Sequence, residues 1–160
     1  MIDIDIKCED GKFKYRVCGL IEKNGKFLIQ KIAANQFYCL PGGHVELGED
    51  TLTAVKREMR EEISKEIKNE KIFIIMENFF KTETGKVYHE LGFYYKAEVE
   101  GFENQEDYEI MENDKGVMKR LAYKCVTPEE LRKVDFRPSI LKEIIIKRDF
   151  DKLRHIINKQ

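Results

Sequence analysis

Charge of one sign is not in excess in this sequence: 29 Lys and Arg stand against 30 Asp and Glu, for a net charge of -1. Nor is there a basic tract to neutralise a nucleic-acid backbone, so binding to DNA or RNA is not expected. A run of about eighteen apolar residues, the minimum for a membrane-spanning helix, is also missing. The first residues, Met1-Ile2-Asp3-Ile4-Asp5-Ile6, alternate apolar with acidic and lack a basic leader region, so no signal peptide is expected. Cys8, Cys18, Cys39 and Cys125 are scattered, with no Cys-x-x-Cys pair. They read as reduced, mostly buried thiols of a cytoplasmic protein and argue against a disulfide frame or a zinc site. Without repeats, low-complexity segments or linkers, the 160 residues suit one domain, 1-160, large enough for a sizeable core.

What is present centres on Gly42-Gly43-His44-Val45-Glu46-Leu47-Gly48-Glu49, which runs into Asp50-Thr51-Leu52-Thr53-Ala54-Val55-Lys56-Arg57-Glu58-Met59-Arg60-Glu61-Glu62-Ile63. Asp50 or Thr51 can cap a helix here, and acidic residues suit its positive end. At 3.6 residues per turn Glu58, Glu61 and Glu62 share one face, while Leu52, Val55, Met59 and Ile63 share another that can meet a core. Three carboxylates so close repel one another and call for a cation. Hard oxygen donors beside a glycine turn suit Mg2+ or Mn2+, ions that also bridge to phosphates.

This spacing resembles the signature of the Nudix hydrolases (MutT-like): a glycine, Glu after five residues, then after seven more Arg-Glu, an apolar residue, any residue and Glu-Glu. Those positions are Gly43, Glu49, Arg57, Glu58, Met59, Glu61 and Glu62, and the approach Phe37-Tyr38-Cys39-Leu40-Pro41-Gly42-Gly43 is similar too. Two later positions depart, Ser64 standing for a helix-ending Gly and Lys65 for an apolar residue. The helix is therefore expected either to run on toward Ile67 or to close with another cap. The resemblance implies an α/β fold, an α/β/α sandwich with a mixed β-sheet. It implies Glu58, Glu61, Glu62 and the Gly42 carbonyl as metal ligands, Arg57 as the residue that orients the glutamates, and Gly43 and Glu49 in support. The implied activity is divalent-metal-dependent hydrolysis of a phosphoanhydride in a nucleoside diphosphate linked to another group. The resemblance also implies a further loop glutamate, with Glu109 and Glu112 as candidates, as a metal ligand or as the base, and either it or Glu58 would activate water.

Elsewhere, Lys12 to Glu22 and Phe27 to Ile32 read as a hairpin about Asn24-Gly25, and Lys71 to Lys81 with Val87 to Val99 as a second antiparallel pair. Gly101 to Gly116 reads as a long acidic loop, Met118 to Val126 as the last strand, and Thr127-Pro128-Glu129-Glu130-Leu131 as a capped short helix. Arg137-Pro138 opens a closing helix, and the tail from Lys152 can be a second helix or a fraying end. His89-Glu90 has no second histidine at zinc-protease spacing. Phe37, Tyr38, Phe80 and Tyr95 can stack on a base or fill the core. The residues near Phe79 carry neither the Pro nor the Tyr that marks two substrate classes of the family, so nucleoside triphosphates and nucleotide sugars both stay open. The expected partner is a nucleotide-type small molecule, with no membrane partner and a homodimer left open. Two other readings compete with the enzyme: a nucleotide-binding or regulatory Nudix module without catalysis, and an acidic interaction protein.

Overall fold

A computed structural model describes residues 2-32, 36-82, 84-100, 107-114 and 116-159, with only the backbone described at 112-114 and 117. In order come β1 (Asp5–Cys8), β2 (Gly11–Lys23), β3 (Lys26–Ile32), α1 (Thr51–Ile63), β4 (Ile67–Lys81), β5 (Val87–Val99), β6 (Tyr108–Asp114), β7 (Val117–Val126), α2 (Pro128–Lys133), α3 (Ser139–Ile146) and β8 (Arg154–Lys159). The strands form a mixed sheet in the order β6-β7-β3-β2-β5-β4-β8, with β1 paired to β2. The pairs β2/β5 and β4/β8 are parallel and the others antiparallel. One core, including Val17, Ile21, Leu28 and Tyr95, lies beneath Val55, Met59 and Ile63 of α1. The other, including Leu20, Phe73, Ile74 and Tyr94, packs with Leu131 of α2 and Leu141 and Ile145 of α3. Helices thus cover both sides of the sheet, as expected of the sandwich.

The sheet parts where the glycine turn enters. The hairpin turn uses Asn24 (φ 50) and Gly25 (φ 77), a left-handed pair that suits a two-residue hairpin. Beyond it, β2 and β3 pair only at Glu22↔Phe27 and Lys23↔Lys26. Past that point the segment 39-45 fills the gap. The Gly19 and Val17 amides donate to the Pro41 and Gly43 carbonyls at 2.9 and 3.0 Å, the Val45 amide donates to the Tyr15 carbonyl at 2.9 Å, and Cys39 exchanges two 2.8 Å bonds with Gln30. Backbone bonds on both edges therefore fix the turn before any side chain contributes.

Four expectations need correcting. Tyr108–Asp114 is strand β6, paired with β7, and not loop: an acidic strand can sit at a sheet edge because one side faces water. The remainder of that supposed loop, 101-106, lies outside the described residues. The last strand is β8 and not β7; it pairs in parallel with β4. Leu153, Ile156 and Ile157 mimic helical spacing, but burial alternates along β8. Of the two endings open to α1, closure with another cap is the one found: Ser64 adopts the left-handed conformation (φ 54, ψ 36) usually taken by glycine. Leu52, expected toward the core, is 39% exposed, and Ala54 is buried in its stead. Of the cysteines, all free, only Cys18 is buried; Cys8 is exposed and Cys39 and Cys125 are half-buried. Strand β1 adds a short edge that the sequence did not signal.

Candidate active site

Helix α1 starts at Asp50, whose carboxylate accepts from the Leu52 and Thr53 amides at 2.9 and 3.0 Å. That cap satisfies two of the amides a helix start leaves open. Thr51 adds a 2.7 Å hydroxyl contact with Tyr95 on the sheet. With Val55 and Met59 fully buried, the helix is seated firmly, and the rotation of its charged face is set.

That face meets the glycine turn. Gly42 has φ 143, and a Cβ there would collide with the Val17 carbonyl, so only glycine lets the turn lie this close to β2. A Cβ on Gly43 would collide with the Glu58 carboxylate; the missing side chain is the space that carboxylate occupies. Glu62 accepts the Gly42 amide at 2.8 Å. On the far side of the same residue, Arg16 Nη2 donates to the Gly42 carbonyl at 2.9 Å.

Arg57 ties the rest together. Its Nε and Nη2 donate to the two Glu49 oxygens at 3.0 and 2.9 Å, Nη2 also to the His44 carbonyl at 2.9 Å, and Nη1 to Glu58 at 2.8 Å and Glu61 at 3.2 Å. A guanidinium carries five N–H donors, and all five are used, which a lysine could not reproduce. Glu49 in turn accepts the Glu46 amide at 3.1 Å.

The carboxylates are not equivalent. Glu58 and Glu62 are 7% and 5% exposed, whereas the Glu61 side chain is 59% exposed. Burial pushes the Glu58 carboxyl up to about 7, against the opposing pull of Arg57. Burial, together with the positive charges of Arg16 and Lys14, drives His44 down to about 4, so it stays neutral at physiological pH. The Cys39 thiol is pushed up to about 11 and Cys18 higher still, again by burial, which makes both poor nucleophiles.

Of the residues expected in the site, the structure brings together Gly42, Gly43, Glu49, Arg57, Glu58 and Glu62, and it leaves Glu61 at the solvent edge, reached only through Arg57. Glu109 is exposed on β6 and lies 3.5 Å from Arg120, and the side chain of Glu112 lies outside the described residues. Arg16 was missed. Its signal was Lys12, Lys14 and Arg16 alternating with Phe13, Tyr15 and Val17, which sends three cations to one side of the sheet. The donor set is chemically suited to a hard divalent ion: two buried carboxylates, one of them held near neutrality, and a carbonyl. Yet among the described residues no group of three or more His, Cys, Asp or Glu is already arranged around a common point.

Comparison with known proteins places these features in a family context. The family model described as NUDIX domain matches residues 13-144. Among solved structures, the chain is similar to a MutT protein from Bacillus halodurans, at 23% identity and TM-score 0.64 over 89% of this chain and 86% of that one. It is also similar to a NUDIX hydrolase from Nitrosomonas europaea, at 16% identity and TM-score 0.61 over 92% and 79%. A third similar structure is an ADP-ribose pyrophosphatase from Streptococcus suis, at 12% identity and TM-score 0.58 over 91% and 98%. No curated protein matches the chain.

Proposed function

The chain belongs to the Nudix hydrolase family, and from that membership we propose that it hydrolyses a phosphoanhydride bond in a nucleoside diphosphate linked to a second group, using Mg2+ or Mn2+. A nucleoside triphosphate and a nucleotide sugar are the two substrate types considered. The observation that carries the reading is the pair of buried carboxylates, Glu58 and Glu62, set on one helix face against Gly42 and Gly43. Burying two like charges on consecutive turns is costly without a cation to offset them.

In this reading Glu58, Glu61, Glu62 and the Gly42 carbonyl hold the ion. When bound, such an ion neutralises the diphosphate and lowers the pKa of water. The protein's own residues do the remainder. Arg57 fixes the Glu58 carboxylate through a 2.8 Å bond and braces it from Glu49 and the His44 carbonyl. Either Glu58 or a loop glutamate would take the proton from water. Glu62 anchors the turn by its bond to the Gly42 amide. A cytoplasmic setting accords with the four free thiols.

The exposed Glu61 favours a second reading, a nucleotide-binding module without turnover. One experiment separates them: incubate the full chain with Mg2+ or Mn2+ and a panel of nucleoside triphosphates, nucleotide sugars and dinucleoside polyphosphates, and identify products by mass spectrometry. Metal-dependent cleavage at a phosphoanhydride supports the hydrolase. Absence of cleavage, with nucleotides raising the melting temperature, supports the binding module.

A further inference from the structure

Register partners project to the same side of a sheet, and two rows of them cross the strands β1, β2, β5, β4 and β8. One row is Ile6, Phe13, His89, Phe79 and Lys159; the next is Tyr15, Leu91, Glu77 and Ile157. Val17, two residues beyond Tyr15 on β2, shares their side and lies beneath α1. The rows therefore lie on the α1 side of the sheet, the opposite face from Lys14 and Arg16.

Helix α1 covers only one end of that side. Phe13, Phe79 and Leu91 are half-buried and, like Ile157, belong to neither core. Ile6 and Ile157 are 54% and 58% exposed. Val87 continues the face one row further, opposite Gly11 and Lys81. At the β1 flank, Ile2 alternates onto the same side as Ile6, with Leu47 opposite it across the Asp3↔Glu46 bridge. Among the described residues ten large hydrophobic side chains are exposed, and five of them, Ile2, Ile6, Leu47, Val87 and Ile157, share this face. Its rings are already packed on one another: Phe79 stacks on His89 at 4.3 Å and Phe13 meets the same ring edge-on at 5.2 Å. Parallel strand pairs such as β2/β5 and β4/β8 are normally covered on both sides, and a contiguous exposed apolar patch marks an interaction surface.

Charge says what covers it. Glu9 and Asp10 form the turn between β1 and β2, and Lys81 and Lys159 stand on this face at the same end of the strands but on the opposite flank. None of the four makes an ion pair among the described residues. Between the flanks, the Glu77 carboxylate is matched by His155 at 2.7 Å. The face is thus apolar at its centre, acidic at one flank and basic at the other, a pattern complementary to itself.

We propose that a second copy of this chain covers the face, related by a two-fold axis along β5, the middle strand of the five. That axis lays β1 over the partner's β8 and β2 over the partner's β4. Phe13 then meets the partner's Phe79, Leu91 meets its own counterpart, and Glu9 and Asp10 meet the partner's Lys81 and Lys159, as an isologous interface requires. Five strands about 4.8 Å apart with three side-chain rows about 6.8 Å apart give a footprint of roughly 500 Å². Ile2 and Leu47 extend it toward the roughly 800 Å² per partner that a specific dimer buries. Neither the hydrolase reading nor the ion site enters this assignment.

The test is sedimentation equilibrium of the full chain. The wild type is expected to show twice the 19.0 kDa mass of one chain at concentrations of about 10 μM. Ile6→Lys/Ile157→Lys, at two exposed positions, should keep the far-UV circular dichroism and weaken association about tenfold or more. Glu9→Lys/Asp10→Lys should weaken it too, and adding Lys81→Glu/Lys159→Glu should restore it, a rescue that an indiscriminately sticky patch does not give. Should Ile6→Lys/Ile157→Lys fail to fold, the turn variant decides, because it alters only a surface turn: unweakened association overturns the proposal. A wild type that stays monomeric at about 100 μM overturns it, and so does a dimer unmoved by the variants, or one lost in the turn variant and not regained in the charge swap. A monomer that co-sediments with phosphatidylcholine vesicles overturns it in favour of a lipid surface.

Discussion

Glu58 on α1 and Glu90 on β5 are buried to the same depth, each 7% exposed, yet they are held quite differently. Glu58 takes a 2.8 Å hydrogen bond from an arginine whose other donors are all committed to Glu49, Glu61 and the His44 carbonyl. Glu90 meets Arg16 Nη1 at 3.6 Å, a looser approach, while Nη2 of the same guanidinium bonds the Gly42 carbonyl. Depth alone therefore does not tell how firmly a carboxylate is held; the number and length of its hydrogen bonds do. Glu62 belongs with Glu58, since the backbone itself pins it.

The strongest way to break this comparison is at the pinned pair. Glu62→Gln keeps the shape but removes a charge at the proposed ion site, and turnover is expected to fall by at least about a hundredfold with the melting curve little changed. Near-normal turnover measured beside a normal melt would remove Glu62 from the site.

Arg57→Lys comes next. A lysine ammonium cannot serve the oxygens that the guanidinium fork reaches, so turnover should fall by about tenfold or more and stability by about 1–3 kcal/mol, read from kinetics and urea unfolding. If the variant matches the wild type in both, the bracing role assigned to Arg57 is wrong.

Glu58 gives a pH signature. Its carboxyl is raised from 4.5 to about 7 by burial, so the folded protein holds that proton more tightly than the unfolded chain does. The stability this contributes is fully present below about 4.5 and is lost as pH rises through 7. Without metal, the wild type should lose stability relative to Glu58→Gln between pH 4.5 and 7, by at most a few kcal/mol. His44, lowered to about 4, has the opposite slope, gaining stability as pH rises from its lowered value toward 6.5, but it is common to both proteins and cancels in the difference. Parallel stability curves for the two would place the Glu58 carboxyl in an ordinary environment.

The smallest effect expected is at Ser64, whose φ of 54 strains a residue with a Cβ. Ser64→Gly should stabilise by roughly 0.5–1 kcal/mol and leave turnover unchanged. A lower melting temperature would mean that the Ser64 side chain contributes something the backbone geometry does not show.

The turn and helix were legible in the sequence because their determinants are local. Asp50 caps the helix that begins at the next residue, the glycines mark where backbone and carboxylate come close, and the 3.6-residue period separates core from cleft. The same holds for the Asn24-Gly25 hairpin and for α2, whose Thr127 and Glu130 close a capping box. Other features depend on partners far along the chain. β8 is a strand because it pairs with β4 some eighty residues earlier, and nothing in Leu153-Arg154-His155-Ile156-Ile157 states that. Glu61 shares helical spacing with its neighbours, but spacing does not say that its side chain would stay 59% exposed while Glu58 and Glu62 are buried. Arg16 and Glu90 become conspicuous only when β2 and β5 lie side by side.

The central claim is that Glu58 and Glu62 form the cation site on which hydrolysis depends. Mn2+ binding by electron paramagnetic resonance, measured alongside turnover in the wild type and the Glu58→Gln/Glu62→Gln double variant, tests it most directly. The account predicts that the double variant keeps its fold but loses both tight Mn2+ binding and turnover. A folded double variant that still binds Mn2+ tightly and cleaves its substrate at a rate near that of the wild type would contradict it.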